Sequence, residues 1–510
     1  MSSIFLGYFI YSYFMQTLNN ATPRMAADLK GMSLYSWSVS IPSLGLALGT
    51  LLAGKLSDIF GRRIVLLVSM IIALLGTILS AISPTFITLI AARTLLFLGL
   101  GTVAPLCYTV IGDVFIGASD RGRWVGLLNI PFGIPTLFGP YFSGWIVDEV
   151  GWRSIFWWVL PLLLLCIVVM YGMPALIQGA VRKIDIIGAI LVAAASACLI
   201  FGLSFAGTTY PWGSKEVIGL LALAIIFGIF FLKAESKAEE PFLDLELFKN
   251  RPFMTAATAG FLSFFGMTGM TLYFPLLMQG VQGMSAAKSG LIITPFSVCM
   301  AFIGVPTGFL LARTKRYKGL IIAGYAMLAI VMCVMIFFSK STPVLIGVAV
   351  ATFCGIGLGV IPTINTLLIQ ACVPKKLLGV AMGALFFSIS LGMAVAPAIQ
   401  GSAMNIKYSH MLKTLMPEAV MQVTDAETLK ALADPDALLS KTEMDRLQEA
   451  LKTDNVEESQ ALFDQTIDAI RSSLESGLKM VFIISAVTAL LAFLLILTIP
   501  VIPMDRPAGE

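Results

Sequence analysis

Ile64-Val-Leu-Leu-Val-Ser-Met-Ile-Ile-Ala-Leu-Leu-Gly-Thr-Ile-Leu-Ser-Ala-Ile-Ser83 runs for twenty residues without a charge. Coiled as a helix rising 1.5 Å per residue, it is about 30 Å long, the thickness of a bilayer's hydrocarbon core. The stretch is not alone. Trp124–Val147 and Phe253–Leu277 are also uncharged. Fourteen such spans are predicted: Ile4–Pro23, Tyr35–Leu56, Ile64–Ser83, Phe86–Ile111, Trp124–Val147, Ser154–Leu176, Ile186–Ala206, Val217–Leu232, Phe253–Leu277, Ser289–Ala312, Gly319–Phe338, Pro343–Val373, Leu377–Gln400 and Met480–Ile502.

The composition fits lipid as the solvent. Hydrophobic residues make up 58% of the chain and charged residues 12%, where a soluble domain carries about 25% charge. The mean hydropathy is +0.92. The seven cysteines lie in or beside apolar spans, so they read as small buried hydrophobes and not as a disulfide or metal framework. The N-terminus has no basic region or small-residue cleavage site, so the first span reads as uncleaved.

Alternate loops differ in charge. One set holds Lys55, Arg62, Arg63, Arg121, Arg123, Arg182, Lys183, Lys233, Lys237, Lys249, Arg251, Arg313, Lys315, Arg316, Lys318, Lys375, Lys376 and Arg506; the other short loops hold Arg24, Lys30, Arg153, Lys215, Lys288 and Lys340. Basic loops stay in the cytoplasm, so both termini are expected there. Asn405–Lys479 has 8 basic and 14 acidic residues, leaving +4 − (−6) = +10 for the rest. The basic excess belongs to membrane loops, and nucleic acid is not an expected partner. Thr424–Glu427 and Ser440–Glu443 read as capping boxes, with Leu447, Leu451 and Val456 as a weak apolar face, so a helical hairpin or solvated spacer is expected outside the membrane.

The domain reading is six helices over 1–178, an extra pair with a polar linker over 179–250, and six more over 251–510, with the outside insert at 405–479. The residues just before Ile64 carry the sharpest motif, Gly54-Lys-Leu-Ser-Asp58-Ile-Phe-Gly61-Arg62-Arg63. Glycines permit a tight turn and close backbone approach. A carboxylate at a helix end can hold an arginine or helix N–H groups. Together they suit a latch that is made and broken; the plainer alternative is that Arg62 and Arg63 anchor the topology. Gly308-Phe-Leu-Leu-Ala312, followed by Arg316, echoes the motif in the later half, as expected of internal repeats that rock about a midplane site.

The pattern resembles the loop between helices two and three of the major facilitator superfamily. Gly139-Pro140-Tyr-Phe-Ser143-Gly144 resembles a fifth-helix motif of its export branches, with Ser143 replacing a glycine; its other reading is a packing kink. The six-two-six layout is similar to the fourteen-helix drug:proton antiporter branch. So are Asp113 with Arg121-Gly122, Trp152-Arg153 with Pro161, Asp185-x-x-Gly188 and Glu240-Pro241-Phe-Leu-Asp244-Leu-x-Leu-Phe248. The resemblance implies an all-α, two-bundle membrane protein that works by alternating access. It further implies efflux of hydrophobic or amphipathic small molecules against proton entry, in the cell membrane. A monomer is expected, and not an enzyme.

Two departures qualify this. Where that branch has an acid in its first helix, Tyr13-Phe-Met-Gln-Thr-Leu-Asn19-Asn20-Ala21-Thr-Pro23 puts Phe14. No span carries Asp or Glu in its interior, and the sole histidine, His410, is in the outside insert. A proton carrier needs a shielded titratable group reachable from both sides. Asp58, Asp113, Asp148, Glu149 and Asp185, all at helix ends, are the candidates. Either one of them couples, or transport is not proton-driven.

Arg93 is the one charge inside a span. It reads as a moving lever, an anion contact, or an internal bond to backbone carbonyls. Gln16, Asn19, Asn20, Asn129, Tyr273, Gln279, Asn365 and Gln370 are candidates for lining a substrate cavity, or for helix–helix hydrogen bonds. Gly355-x-Gly357-x-Gly359 sits in an apolar span with no strand before it, and no Walker loop is present. No nucleotide, cofactor or metal is therefore expected. Two other functions remain open: a facilitator or exchanger of one specific metabolite, with an anion bound near Arg93, and a transporter-like sensor reading a ligand at the outside insert.

Overall fold

The structure is a computed structural model that describes residues 1–29, 34–115, 117–174, 186–206, 210–237, 246–284, 286–314, 316–374, 377–417, 420 and 456–500. Within them the chain is helical, and every predicted span except the one beginning at Phe253 is one helix or two in line. The first half comprises α1 (Ser2–Asp28), α2 (Tyr35–Phe60), α3 (Arg62–Ala81), α4 (Phe86–Gly101), α5 (Val103–Val114), α6 (Ala118–Leu127), α7 (Asn129–Glu149) and α8 (Ser154–Tyr171). The extra pair is α9 (Ile186–Phe205) and α10 (Lys215–Glu235). A short linker helix, α11 (Glu246–Lys249), leads into the second half: α12 (Arg251–Thr268), α13 (Phe274–Leu276), α14 (Ala286–Phe302), α15 (Gly304–Thr314), α16 (Tyr317–Met335), α17 (Val344–Cys372), α18 (Leu378–Leu415) and α19 (Val456–Leu497).

Among the described residues eleven helices are long and apolar enough to cross a bilayer. The predicted spans at α1, α6–α7 and α9 are also helical, with Ile187–Leu203 the shorter apolar core of α9. Helices are required there, because lipid offers backbone groups no partner. Helix ends are set locally. Thr85 and Thr88 form a reciprocal cap at the start of α4. The Asn250 side chain accepts from the Phe253 N–H to cap α12, while its amide donates to the Cys372 carbonyl that ends α17. The α6–α7 break at Leu128 precedes Pro131, which has no N–H for the Leu127 carbonyl.

The span beginning at Phe253 departs from a regular helix. After α12 it passes through π-helical turns at Gly269–Tyr273 and Leu277–Val281. The last two spans also outrun their predicted ends at Gln400 and Met480. α18 has 38 residues and α19 has 42, lengths of about 57 and 63 Å. Polarity beginning at Asn405 suggested the end of the helix, but it occupies one face only. Tyr408 and Leu412 on α18 and Ile470, Leu474 and Leu478 on α19 are buried, and the Gly477 backbone leaves room for Met404 and Tyr408. The predicted capping boxes at 424–427 and 440–443 lie outside the described residues, as do Leu447 and Leu451.

α9 lies against both halves. Its Phe201 and Phe205 meet Trp37 of α2 at 6.2 and 5.5 Å between ring centroids, and Leu203 packs with Phe265, Val395 and Ala396 of the second half. Trp212, just before α10, hydrogen-bonds the Ser402 hydroxyl. α10 is the least buried of the eleven spans.

Candidate functional site: the latch between the two halves

The motif residues fold into one corner where the two halves meet. Gly61 turns the chain from α2 to α3 with φ at 86°, a value that favours glycine. Asp58 thereby ends α2 and Arg62 begins α3. The Arg62 side chain has no exposed surface. Its Nε donates to Asp113 Oδ2 at 2.9 Å, and its Nη1 donates to Ser57 Oγ at 2.6 Å and to the Asp58 carboxylate. Asp113 comes from the last turn of α5. A buried guanidinium held by two carboxylates is far stronger than a surface pair.

The corner is completed by the other half. The first turn of α18 abuts the Asp58 carboxylate at Gly379, so a helix N-terminus brings its partial positive charge to it. Contact this close requires glycine on both sides. A Cβ on Gly54 would lie 2.5 Å from the Gly379 carbonyl oxygen, one on Gly379 would lie 2.5 Å from Asp58 Oδ1, and one on Gly383 would lie 2.9 Å from the Thr50 carbonyl oxygen. Arg63 takes no part. It turns outward, with its guanidinium 5.1 Å from the centre of the Tyr171 ring on α8.

The repeat echo proves to be a second crossing. Gly308 of α15 lies so close to Gly122 and Gly126 of α6 that a Cβ would overlap their backbone. Here Ala312 is four residues after Gly308, as Asp58 is after Gly54, and Arg316 is exposed. Bonds to uncharged acceptors finish this crossing. Asn129 Nδ2 reaches Thr363 Oγ1 at 3.2 Å, Arg121 Nη1 reaches the Gln370 carbonyl at 3.2 Å, and Gln370 Nε2 reaches the Tyr108 carbonyl at 2.8 Å. Gly101–Gly112, and Gly357–Gln370 apart from Pro362, are buried throughout. α18 is buried from Leu378 to Leu385 and half-exposed from Phe386 to Ile389. The halves are therefore sealed at the end bearing the basic loops and loosen beyond it.

The other sequence candidates divide. Asn365 Nδ2 donates to Tyr325 OH at 3.1 Å and to the Ala256 carbonyl at 3.4 Å; Tyr273 OH donates to the Pro397 carbonyl at 3.2 Å; Gln279 Nε2 contacts Ser289 Oγ at 3.4 Å. Each bond joins helices of the second half, which matches the packing reading. Gln16, half-exposed, donates to Thr136 Oγ1 of α7 at 3.3 Å. The side chains of Asn19, Asn20 and Pro140 lie outside the described ones. Gly139 admits α1, with Gln16 Cβ 3.0 Å from where its own Cβ would be, whereas Gly144 has open space.

Arg93 is buried and donates from Nη1 to Thr22 Oγ1 of α1 at 3.1 Å. Phe14, at the position of the branch's acid, has no exposed surface and packs beside Phe156 at 6.4 Å. An apolar groove of about 680 Å³, lined by Phe5, Phe9, Trp124, Ile130, Leu165 and Val169, opens at the outer side of α1, α7 and α8. Among the described residues no three His, Cys, Asp or Glu groups cluster as metal ligands.

Reading the sequence alone missed Ser57 and Gly379 as members of the latch. Asp113 stands out in the sequence as a helix-end acid and proton-coupling candidate, and with Arg121-Gly122, but not as a partner of Arg62. Asp113 lies 51 positions from Arg62 and Gly379 comes from the other half, so no local pattern announces them.

A profile of the Major Facilitator Superfamily matches residues 4–397. The multidrug transporter protein MdtP of Bacillus subtilis is 31% identical over 468 residues, 91% of this chain and 86% of that one. The multidrug resistance protein Stp of Mycobacterium tuberculosis is 28% identical over 439 residues, 85% and 81% of the two chains. The fold is similar to that of the proton:xylose symporter XylE, with a TM-score of 0.61 at 13% identity over 100% of this chain and 96% of that one. It is also similar to the human organic anion transporter MFSD10, with a TM-score of 0.58 at 16% identity over 79% and 92%. With its helical halves joined at glycine crossings and this match across most of its length, the chain belongs to the major facilitator superfamily of membrane transporters.

Proposed function

We propose that this protein exports hydrophobic or amphipathic small molecules by alternating access, with the basic-loop end in the cytoplasm. The observation that carries the reading is the clamp of Arg62 between Asp58 and Asp113, seated on the first turn of α18. The clamp lies within the first half and presents its Asp58 end to Gly379 of the other half, a close contact that a rocking motion can part. The multidrug names of the relatives at 31% and 28% identity support the substrate class. The basic loops, which favour the cytoplasmic side, support the direction. Cells overproducing the protein are expected to accumulate less of several unrelated lipophilic dyes than cells producing Arg62→Ala. Equal accumulation, with both proteins present in the membrane, rules the reading out.

The clamp is also our candidate for proton exchange. One guanidinium serves two carboxylates, so protonating either one removes a charge-assisted bond and loosens the seal. The helices around the latch bring the acids Asp58 and Asp113 together with Arg62, and Arg121 stands at the neighbouring crossing. Proteoliposomes loaded with a pH-sensitive dye provide the test. Substrate flux should move protons, and Asp113→Asn should keep substrate binding while losing proton movement. Undiminished proton movement in Asp113→Asn and Asp58→Asn assigns coupling elsewhere.

A further inference from the structure

Five aromatic rings from both halves meet just beyond the sealed end. Tyr8 and Tyr11 of α1 stack with 5.6 Å between centroids and 3° between planes. Phe132 of α7 lies on Tyr8 at 5.6 Å and 28°. Tyr108 of α5 meets Tyr8 edge-on at 5.7 Å, and their hydroxyls share a 3.2 Å hydrogen bond. Phe386 of α18, from the other half, stacks on Tyr108 at 5.4 Å and 28°. Tyr8 and Tyr108 are buried, whereas Tyr11, Phe132 and Phe386 are half-exposed. Behind the rings, the Gln370 side chain bonds the Tyr108 carbonyl as part of the seal. The cluster is thus a floor of two buried rings with three partly exposed ones beside them.

The charges around this floor are as informative as the rings. α1 carries an acid only at Asp28, its last residue, and α18 carries none. α7 has Asp148 and Glu149 at its far end, and Asp113 of α5 is held by Arg62 within the latch. Phe14, where an acid would be expected, is buried against Phe156. A compact cation here would be desolvated with ring faces as its main compensation, which is a poor exchange. A flat uncharged ring gains stacking and has no charge to desolvate.

We propose that Tyr11 and Phe386, supported by Tyr8, Tyr108 and Phe132, are the recognition floor for substrate, and that it selects planar neutral aromatic molecules by stacking. This rests on the transporter reading above and adds to it a substrate class and the residues that choose it. The test is equilibrium binding to the full chain in nanodiscs, with empty nanodiscs subtracted. Nile red is the planar neutral probe and tetraethylammonium the compact, non-planar, ring-free cation. Nile red binds more tightly than the cation. Tyr11→Leu and Phe386→Leu each weaken Nile red binding by about 2- to 12-fold, the range for one aromatic pair, and leave the cation unchanged. Tyr11→Phe and Phe386→Tyr, which keep the rings, bind Nile red as the native protein does. Should a leucine variant fail to elute as a single species, methionine at that position fills the volume without a ring. Tighter binding of the cation, or leucine and methionine variants equal to the native protein, overturns the proposal. Ring-dependent binding without Nile red efflux from proteoliposomes supports the floor and defeats the exporter reading, so the two failures are distinct.

Discussion

Adding one methyl group at Gly379 should open the sealed end without touching the ring floor. In the closed state that Cβ would lie 2.5 Å from Asp58 Oδ1 and 2.7 Å from Arg62 Nη1, about 1 Å inside van der Waals contact. The guanidinium and carboxylate cannot both retreat and stay bonded, so Gly379→Ala removes one charge-assisted bond, about 1.5–3 kcal/mol. The helix-propensity gain of alanine over glycine, about 1 kcal/mol, applies equally whether the halves are open or closed, and cancels. The ratio of open to closed protein should therefore rise about 10- to 150-fold. The assay is pulsed electron resonance between spin labels at Arg123 of α6 and Arg313 of α15, both exposed and on opposite halves, after the half-buried cysteines Cys198, Cys299, Cys333 and Cys372 are replaced by alanine. The short-distance population should shrink in Gly379→Ala. It should not change in Gly144→Ala, where the new Cβ meets nothing within 4 Å. An unaltered distance distribution in Gly379→Ala would refute the idea that this crossing holds the halves together.

Arg62→Lys keeps the charge but not the fork that reaches Ser57, Asp58 and Asp113 at once; transport of a lipophilic dye by membrane vesicles should fall more than tenfold, about 1.4 kcal/mol or more, and near-native flux would argue against a clamp. Arg63→Gln removes only a contact with an exposed ring, so dye transport should stay within about twofold, which separates the two adjacent arginines. Leu412→Asp, in the buried seam between the outer parts of α18 and α19, should lower the unfolding temperature read by scanning fluorimetry, because it buries an unpaired charge; an unchanged melting curve would show that the extended pair contributes no packing. Arg93→Lys should leave dye selectivity unchanged if Arg93 packs helices through Thr22, and a changed ranking of substrates would give it a transport role instead.

Much of this protein could be read without a fold. Twenty uncharged residues from Ile64 to Ser83 can be stable only across lipid, because the signal is additive along the chain and needs no neighbour. The same holds for the spacing of Gly54, Asp58, Gly61 and Arg62, since a turn between two helices is a local event. Three-dimensional packing decided the rest. Polar residues at the outer ends of α18 and α19 read as a separate helical hairpin or spacer, yet Tyr408 and Leu474 keep both long helices intact by burying one face of each. Asn365 and Tyr273 could line a cavity or bond a neighbouring helix; a buried amide or hydroxyl bonds to whatever helix is nearest, and that choice is not written in their own segment. Asp113 and Arg62 are 51 positions apart. Each alone is a charge near a membrane surface, and they form a latch only because α3 and α5 bring the two groups within 2.9 Å in a corner from which water is excluded.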